Sequence, residues 1–268
     1  MIGFPPCKIN LGLQVIRRRP DGYHDLDTCF YPVPFCDVLE VLPAETFSFR
    51  QTGLTLPGNV HENLCVKAWQ FMHRQFGTPA VQVYLHKCIP PGAGLGGGSA
   101  DAAWMLRLLQ QLFHKEIPQN QLLAVAGSLG SDCPFFLYDA PMLGSGIGDV
   151  LRPAGVSLKG YSLVLLKPDV HMSTAEAYQH VVPAENRPPV YEILRTDIRQ
   201  WKTLLVNDFE ASVMRKYPVI QELKNALYGA GAVYASMSGS GSAVYGIFSR
   251  PVSVPQGLNG YLIWQGEL

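Results

Sequence analysis

Pro90-Pro91-Gly92-Ala93-Gly94-Leu95-Gly96-Gly97-Gly98-Ser99-Ala100-Asp101 places five glycines within seven positions, directly ahead of an apolar-periodic stretch. Ala102, Met105, Leu106, Leu109, Leu112 and Phe113 recur at helical spacing, so the loop leads into a buried helix. Glycines let backbone N–H groups come close to an anion because no Cβ stands in the way. The helix behind adds unpaired N–H donors and the positive end of its macrodipole. The expectation is an anion cradle for a nucleotide triphosphate. The plainer alternative is a flexible turn, but the Pro-Pro frame and the strong helix are not linker composition. The run lacks G-x-x-x-x-G-K-[ST], so it is not a P-loop. The dinucleotide fingerprint fits poorly, because the nearby acid, Glu116, precedes any second strand. The H-R-D and D-F-G set of protein kinases is absent.

The rest of the chain bounds the answer. At 268 residues, with 47% apolar and 16% charged residues, it builds a substantial core in two modest domains or one large one. Its formal net charge is zero, which argues against broad attraction to nucleic acid or anionic membranes. Phosphate binding must then be local. Six scattered cysteines (Cys7, Cys29, Cys36, Cys65, Cys88, Cys133) form no C-x-x-C pair and read as free thiols in a reducing cytoplasm. The N-terminus turns polar at Lys8 and Asn10, unlike a signal peptide, and no apolar run reaches a membrane span.

Cys7 to Ile16 alternates, with Ile9, Leu11, Leu13 and Val15 opposite Lys8, Asn10, Gly12 and Gln14, the pattern of a half-buried strand. Arg17 to Gly22 is a turn with a solvated arginine run. Strands are expected at 37–42, 46–51 and 80–87, and helices at 63–76 and 121–129. Gly144 to Asp149 reads as a tight turn between strands. In the second half, 161–167 is a buried strand, and helices are expected at 173–180, 190–205, 208–216 and 218–227. Pro218 suits a helix start and Gly229 a C-cap. Strands at 233–237 and 243–248 flank Ser238-Gly239-Ser240-Gly241-Ser242, and 260–264 closes the set. The class is α+β in two halves.

Three segments then line up: Cys7-Lys8-Ile9-Asn10-Leu11, the glycine loop, and Ser238 to Ser242. In order and type they resemble the GHMP kinase superfamily. Arg19-Pro20-Asp21-Gly22-Tyr23-His24, Glu62-Asn63-Leu64 and Gly130-Ser131-Asp132-Cys133-Pro134-Phe135-Phe136 narrow the resemblance. They match the branch that phosphorylates a hydroxyl of a cytidine-diphosphate-linked methylerythritol on a route to isoprenoid precursors. The likeness runs from about Lys8 to Gly241. It implies a ribosomal protein S5 domain 2-like N-terminal domain over 1–154 and a ferredoxin-like C-terminal domain over 155–268, with the active site between them. It also implies ATP and Mg²⁺, a small cytidine diphosphate substrate as the partner, and a monomer or weak homodimer in the cytoplasm. A sister kinase with another acceptor and a silent nucleotide-dependent regulator are the rival readings. Tyr23-His24 speaks against the first, and the presence of both Lys8 and Asp132 against the second.

The resemblance carries residue roles. Lys8 would stabilise negative charge beside a catalytic carboxylate, where a solvated lysine is the ordinary alternative. Asp132 would take the proton of the accepting hydroxyl, where a helix N-cap is the alternative. Pro91, Gly92, Gly94, Leu95, Gly96, Gly97, Gly98 and Ser99 would hold ATP. Asn63 and Lys87 would join them, with capping or surface roles equally open. Asn10, Tyr23, His24, Tyr178, Gly239 and Ser240 would bind the substrate, Tyr23 stacking on the base across from Tyr178 and His24 reading the base edge. Asp101 stands where the family usually has Asn, and is expected to point away from the phosphates or assist the metal. The metal ligands are not legible in the sequence.

Overall fold

The computed structural model describes residues 1–56 and 58–268. In chain order the strands and helices are β1 (Ile2–Gly3), β2 (Pro6–Arg18), β3 (His24–Cys36), β4 (Val38–Pro43), β5 (Ser48–Gly53), α1 (Leu64–Phe76), β6 (Val81–Lys87), α2 (Gly97–Leu112) and α3 (Gln119–Leu129). They continue with β7 (Met142–Ser145), β8 (Val150–Pro153), β9 (Ser162–Leu166), α4 (Thr174–Tyr178), α5 (Val190–Leu194), α6 (Ile198–Leu204), α7 (Glu210–Lys216), α8 (Pro218–Gly229), β10 (Tyr234–Met237), β11 (Val244–Phe248) and β12 (Leu262–Glu267). This is the α+β class expected. Compactness groups the chain differently from one boundary at 154/155. One unit holds Met1–Lys8, Pro32–Pro91 and Gly96–Asp139; the other holds Ile9–Tyr31, Gly92–Leu95 and Ala140–Leu268.

The first unit contains a sheet of order β1-β4-β6-β5, with β4 antiparallel and β5 parallel to β6. Strict alternation along β6 buries Val81, Val83, Leu85 and Lys87 on one face. Helix α1 starts where Asn63 Oδ1 accepts from the Cys65 N–H at 2.9 Å, and stops at Gly77 in the left-handed region. Small residues Ala100, Ala102 and Ala103 are fully buried and let α2 pack closely on its neighbours.

The second unit contains the sheets β2-β3-β7-β8 and β10-β11-β9-β12. The latter is antiparallel throughout and packs Val164, Leu166, Met237 and Val244 against Phe209, Ile220, Leu223 and Leu227. Turns form within each of the three expected segments, at 20–22, 146–149 and 239–242, while Arg17–Arg18 and Gly144–Ser145 remain in the flanking strands. Arg17 and Arg19 pair with Asp25 and Asp21 rather than standing free.

Three expectations are corrected. β2 is buried on both faces: Lys8, Asn10 and Gln14 are 3%, 2% and 2% exposed, because polar partners cover the side that reads as solvent-facing. The single helix at 190–205 is two, since Asp197 caps a fresh start by accepting from Arg199 N–H at 2.9 Å. Helix α8 runs through Gly229 and ends at Ala230. The long strand β3 has no forecast, because Pro32 and Pro34 interrupt its pattern.

Candidate active site

In the first unit, Lys8 lies near the start of β2 and the turn after α3 delivers Asp132. Lys8 Nζ lies 3.4 Å from Asp132 Oδ2, the lysine side chain 4% exposed and the carboxylate 33%. Asp132 opens the short 3₁₀ turn Cys133–Leu137, yet its side chain makes no capping hydrogen bond. The carboxylate is therefore paired with a cation and partly open to solvent. The turn's Phe136 also backs Gly96: an added Cβ there would meet the Phe136 ring at 2.9 Å and Lys8 Cγ at 3.2 Å. Gly96 is the N-cap of α2 with φ of 71°, so the loop's end, the helix N-terminus and Lys8 converge.

Around that terminus, Pro91 and Gly98 are exposed, Ser99 is partly exposed, and Gly97 is buried against Ile89. Asn63 serves as the α1 cap and, with Phe49, Leu56, Leu64, Pro91 and Gly98, lines a cleft of about 300 Å³. An apolar slot beside free helix N–H groups can take a flat heteroaromatic ring with a phosphate attached. Lys87 lies beneath the glycine loop, its Nζ 3.3 Å from where a Cβ on Gly97 would be. It is buried, ion-paired to Asp37 and, at 2.7 Å, to Asp101. Asp37 in turn accepts from the Cys88 and Ile89 N–H groups at 2.6 and 2.9 Å. Burial would lower the Lys87 pKa, but the two carboxylates outweigh it and hold it raised. Burial pushes the Asp101 carboxyl up to about 7 despite the lysine. Asp101 thus faces Lys87 and also borders the cleft at Asn63.

The second unit gathers the remaining glycine-loop residues with the third motif. Gly92 is exposed, Gly94 partly so, and Leu95 is buried as a core side chain. Gly94 has φ of 75°, and an added Cβ would fall 2.0 Å from the Ser238 carbonyl oxygen. Ser238 Oγ donates to the Gly94 carbonyl at 2.8 Å and accepts from Asn10 N–H at 3.3 Å. Gly239 is buried, its Cβ position 3.3 Å from Asn10 Oδ1, while Ser240 Oγ lies 3.3 Å from Thr174 Oγ1. Buried Asn207 donates to the Met237 and Gly239 carbonyls, both at 2.8 Å, and so sets the turn. His24 stacks on Tyr178 with ring centroids 4.8 Å apart, and Tyr178 meets Phe209 edge-on. Tyr23 is 61% exposed. His24 therefore covers a face of Tyr178. Burial, then nearby Arg18, lowers the His24 pKa and so favours the neutral ring.

Sequence reasoning missed Thr28, Asp37 and Asn207. For Asp37 a signal existed: the alternation of β6 places Lys87 inside, and a buried ammonium requires carboxylates. Among the described residues no cluster of three or more His, Cys, Asp or Glu could hold a metal. The Ser99 hydroxyl lies on the first turn of α2 beside Cys133, an oxygen that could reach a cation there.

The GHMP kinases N terminal domain matches residues 63–140, and the GHMP kinases C terminal domain matches 190–260. With the fold and the loop-and-helix cradle, these make the chain a member of the GHMP kinase family. The 4-diphosphocytidyl-2-C-methyl-D-erythritol kinase of Parabacteroides distasonis is 44% identical over 100% of both chains. That of Bacteroides fragilis is 48% identical over 93% of this chain and 92% of the relative. A crystal structure of 4-(cytidine 5'-diphospho)-2C-methyl-D-erythritol kinase superposes with a TM-score of 0.81 at 35% identity, covering 94% of this chain and 91% of the other. Within the GHMP kinases, the chain belongs to the 4-diphosphocytidyl-2-C-methyl-D-erythritol kinase family. No described helix is long and apolar enough to cross a membrane.

Proposed function

We propose that the protein transfers the γ-phosphoryl group of ATP to the 2-hydroxyl of 4-diphosphocytidyl-2-C-methyl-D-erythritol, a step toward isoprenoid precursors. The observation that carries the reading is the Lys8–Asp132 pair in the unit that also holds the N-terminus of α2. Phosphoryl transfer needs little covalent work from a protein: positioning and charge stabilisation suffice. Asp132 accepts the hydroxyl proton. Lys8 holds the carboxylate in place and stabilises the charge that develops on the acceptor oxygen. Backbone N–H groups of Gly92 to Ser99 and the α2 terminus hold the phosphates, and the cleft at Asn63 takes the adenine. Mg²⁺ held at Ser99 and the phosphates would neutralise part of the triphosphate charge. Lys87 supports the loop from within.

Asn10, Gly239 and Ser240 bind the acceptor, and Tyr23, His24 and Tyr178 form the cytosine pocket. A neutral imidazole at His24 can both donate to and accept from a base edge. The matched family regions lie on either side of 154/155, which supports inherited domains of 1–154 and 155–268. Six free thiols suit a cytoplasmic setting.

The test is ATP consumption by the purified protein with Mg²⁺, comparing the cytidine compound with mevalonate, homoserine and galactose. Turnover with the cytidine compound alone is expected. Turnover with another acceptor would overturn the base pocket, and nucleotide binding without turnover would overturn the kinase.

A further inference from the structure

The glycine loop has an entry and an exit, and one buried carboxylate ties the two together. The β4–β6 ladder ends at the Val38–His86 pair, so Asp37 and Lys87 stand one step beyond it. Past that point the Cys88 and Ile89 N–H groups have no strand partner and must find another acceptor. Asp37 Oδ1 takes both, at 2.6 and 2.9 Å. Asp37 Oδ2 accepts from the Lys87 ammonium, which also donates to Asp101 Oδ2 at 2.7 Å. Asp101 lies on α2, and its other oxygen finds no donor. Ile89 in turn packs on Gly97, where an added Cβ would fall 2.8 Å from Ile89 Cγ2. Asp37, Lys87 and Asp101 are 0%, 2% and 2% exposed, so water does not compete for these bonds.

We propose that Asp37 is a positioning residue for ATP: it holds the strand that enters the glycine loop and, through Lys87, the helix that leaves it, and so presets the phosphate-binding N–H groups before the nucleotide arrives. The inference rests on the reading of the loop and the α2 N-terminus as the phosphate cradle and deepens it. Both ends of the loop, 88–91 and 96–101, belong to the first unit, as Asp37 does. Glycine-rich backbone has no side chains with which to fix itself, so its shape must be imposed at its ends. A cradle already in its bound shape binds without the entropic cost of ordering. A carboxylate suits this place and a carboxamide does not. An asparagine could still accept the two N–H bonds, but it would turn its NH₂ on the ammonium, donor against donor in a site closed to water.

Asp37→Asn therefore keeps the hold on the strand and cuts the tie to Lys87, which retains Asp101 as its counter-charge. The dissociation constant of ADP, measured by calorimetry with Mg²⁺, is expected to rise about 10- to 100-fold, and KM for ATP with it. KM for the cytidine acceptor should stay within about twofold. A purely structural role would lower melting temperature and the share of active protein, hence apparent kcat, with both KM values unmoved. Unchanged ADP affinity, or ATP and acceptor constants that rise together, would overturn the proposal.

A second measurement needs no variant, and so decides the matter even if Asp37→Asn does not fold. In nucleotide-free parent protein, amide hydrogen exchange at Cys88 and Ile89 should already be slow, and should change little when ADP and Mg²⁺ are added. Exchange at Gly97 and Gly98, at the free N-terminus of α2, should slow on that addition. Cys88 and Ile89 amides that exchange freely until ADP binds would overturn the preset entry. Gly97 and Gly98 amides indifferent to ADP would strike the cradle and the proposal with it. A parent that binds ADP but phosphorylates no cytidine compound would strike the acceptor and not the role of Asp37, which weakened ADP binding in Asp37→Asn upholds by itself.

Discussion

Asp132 has the position of a helix cap and does not perform one, which leaves its carboxylate 3.4 Å from Lys8 and partly open to solvent. Asp132→Asn keeps the shape and loses the base. Turnover should fall by about 10²- to 10⁴-fold with nucleotide affinity nearly intact; a variant of near-parental rate would remove Asp132 from the chemistry. Asp101 makes a different prediction. Its carboxyl sits at about 7 in the folded protein, against 3.8 for the ordinary group, because burial disfavours its charge. The native protein then binds this proton more tightly than the unfolded chain does. The contribution to stability is fully present below the unfolded pKa and is lost as pH rises toward 7. The raised pKa of Lys87 acts only at alkaline pH, outside that window. Asp101→Asn cannot titrate, so its melting temperature should fall less between pH 5 and pH 8 than the parent's. Equal falls in thermal melts would reject the assignment.

At the level of elements, the glycine loop was legible because its composition has few other uses before a strong helix. Its dependence on a partner was not. Nothing in Gly94 itself announces that the Ser238 carbonyl will lie where its side chain would be. Gly94→Ala should raise KM for ATP at least about tenfold, since the added methyl meets backbone that cannot swing aside and φ is positive there. Parental ATP kinetics would show that the loop can relax. The pattern along β6 was legible too, and following its alternation to Lys87 would have shown that residue to be buried. β2 misled for the opposite reason. Polar residues at every second place ordinarily face water, and here Asn10 meets Thr28 and Gln14 meets the Pro188 carbonyl. Pairings between residues far apart in sequence leave no trace in local periodicity. That also explains why Asn207, which sets the 238–242 turn, went unnoticed.

For the whole molecule, a formal charge of zero at pH 7 leaves little mutual repulsion between copies. Solubility should be lowest near neutral pH and rise by pH 8.5, as turbidity at fixed protein concentration and low salt would record; a flat profile would mean that local charge patterning governs instead. The path of the chain has a further consequence. It passes from one compact unit to the other five times, after residues 8, 31, 91, 95 and 139. During synthesis the first unit lacks its last segment until Asp139 has left the ribosome, and the second already waits with a strand pair made long before its remaining sheet. A gene cut after codon 154 would strand Ile9–Tyr31 and Gly92–Leu95 on the wrong fragment. A fragment ending at residue 154 would therefore carry chain segments of both compact units, and the remainder would hold neither unit entire.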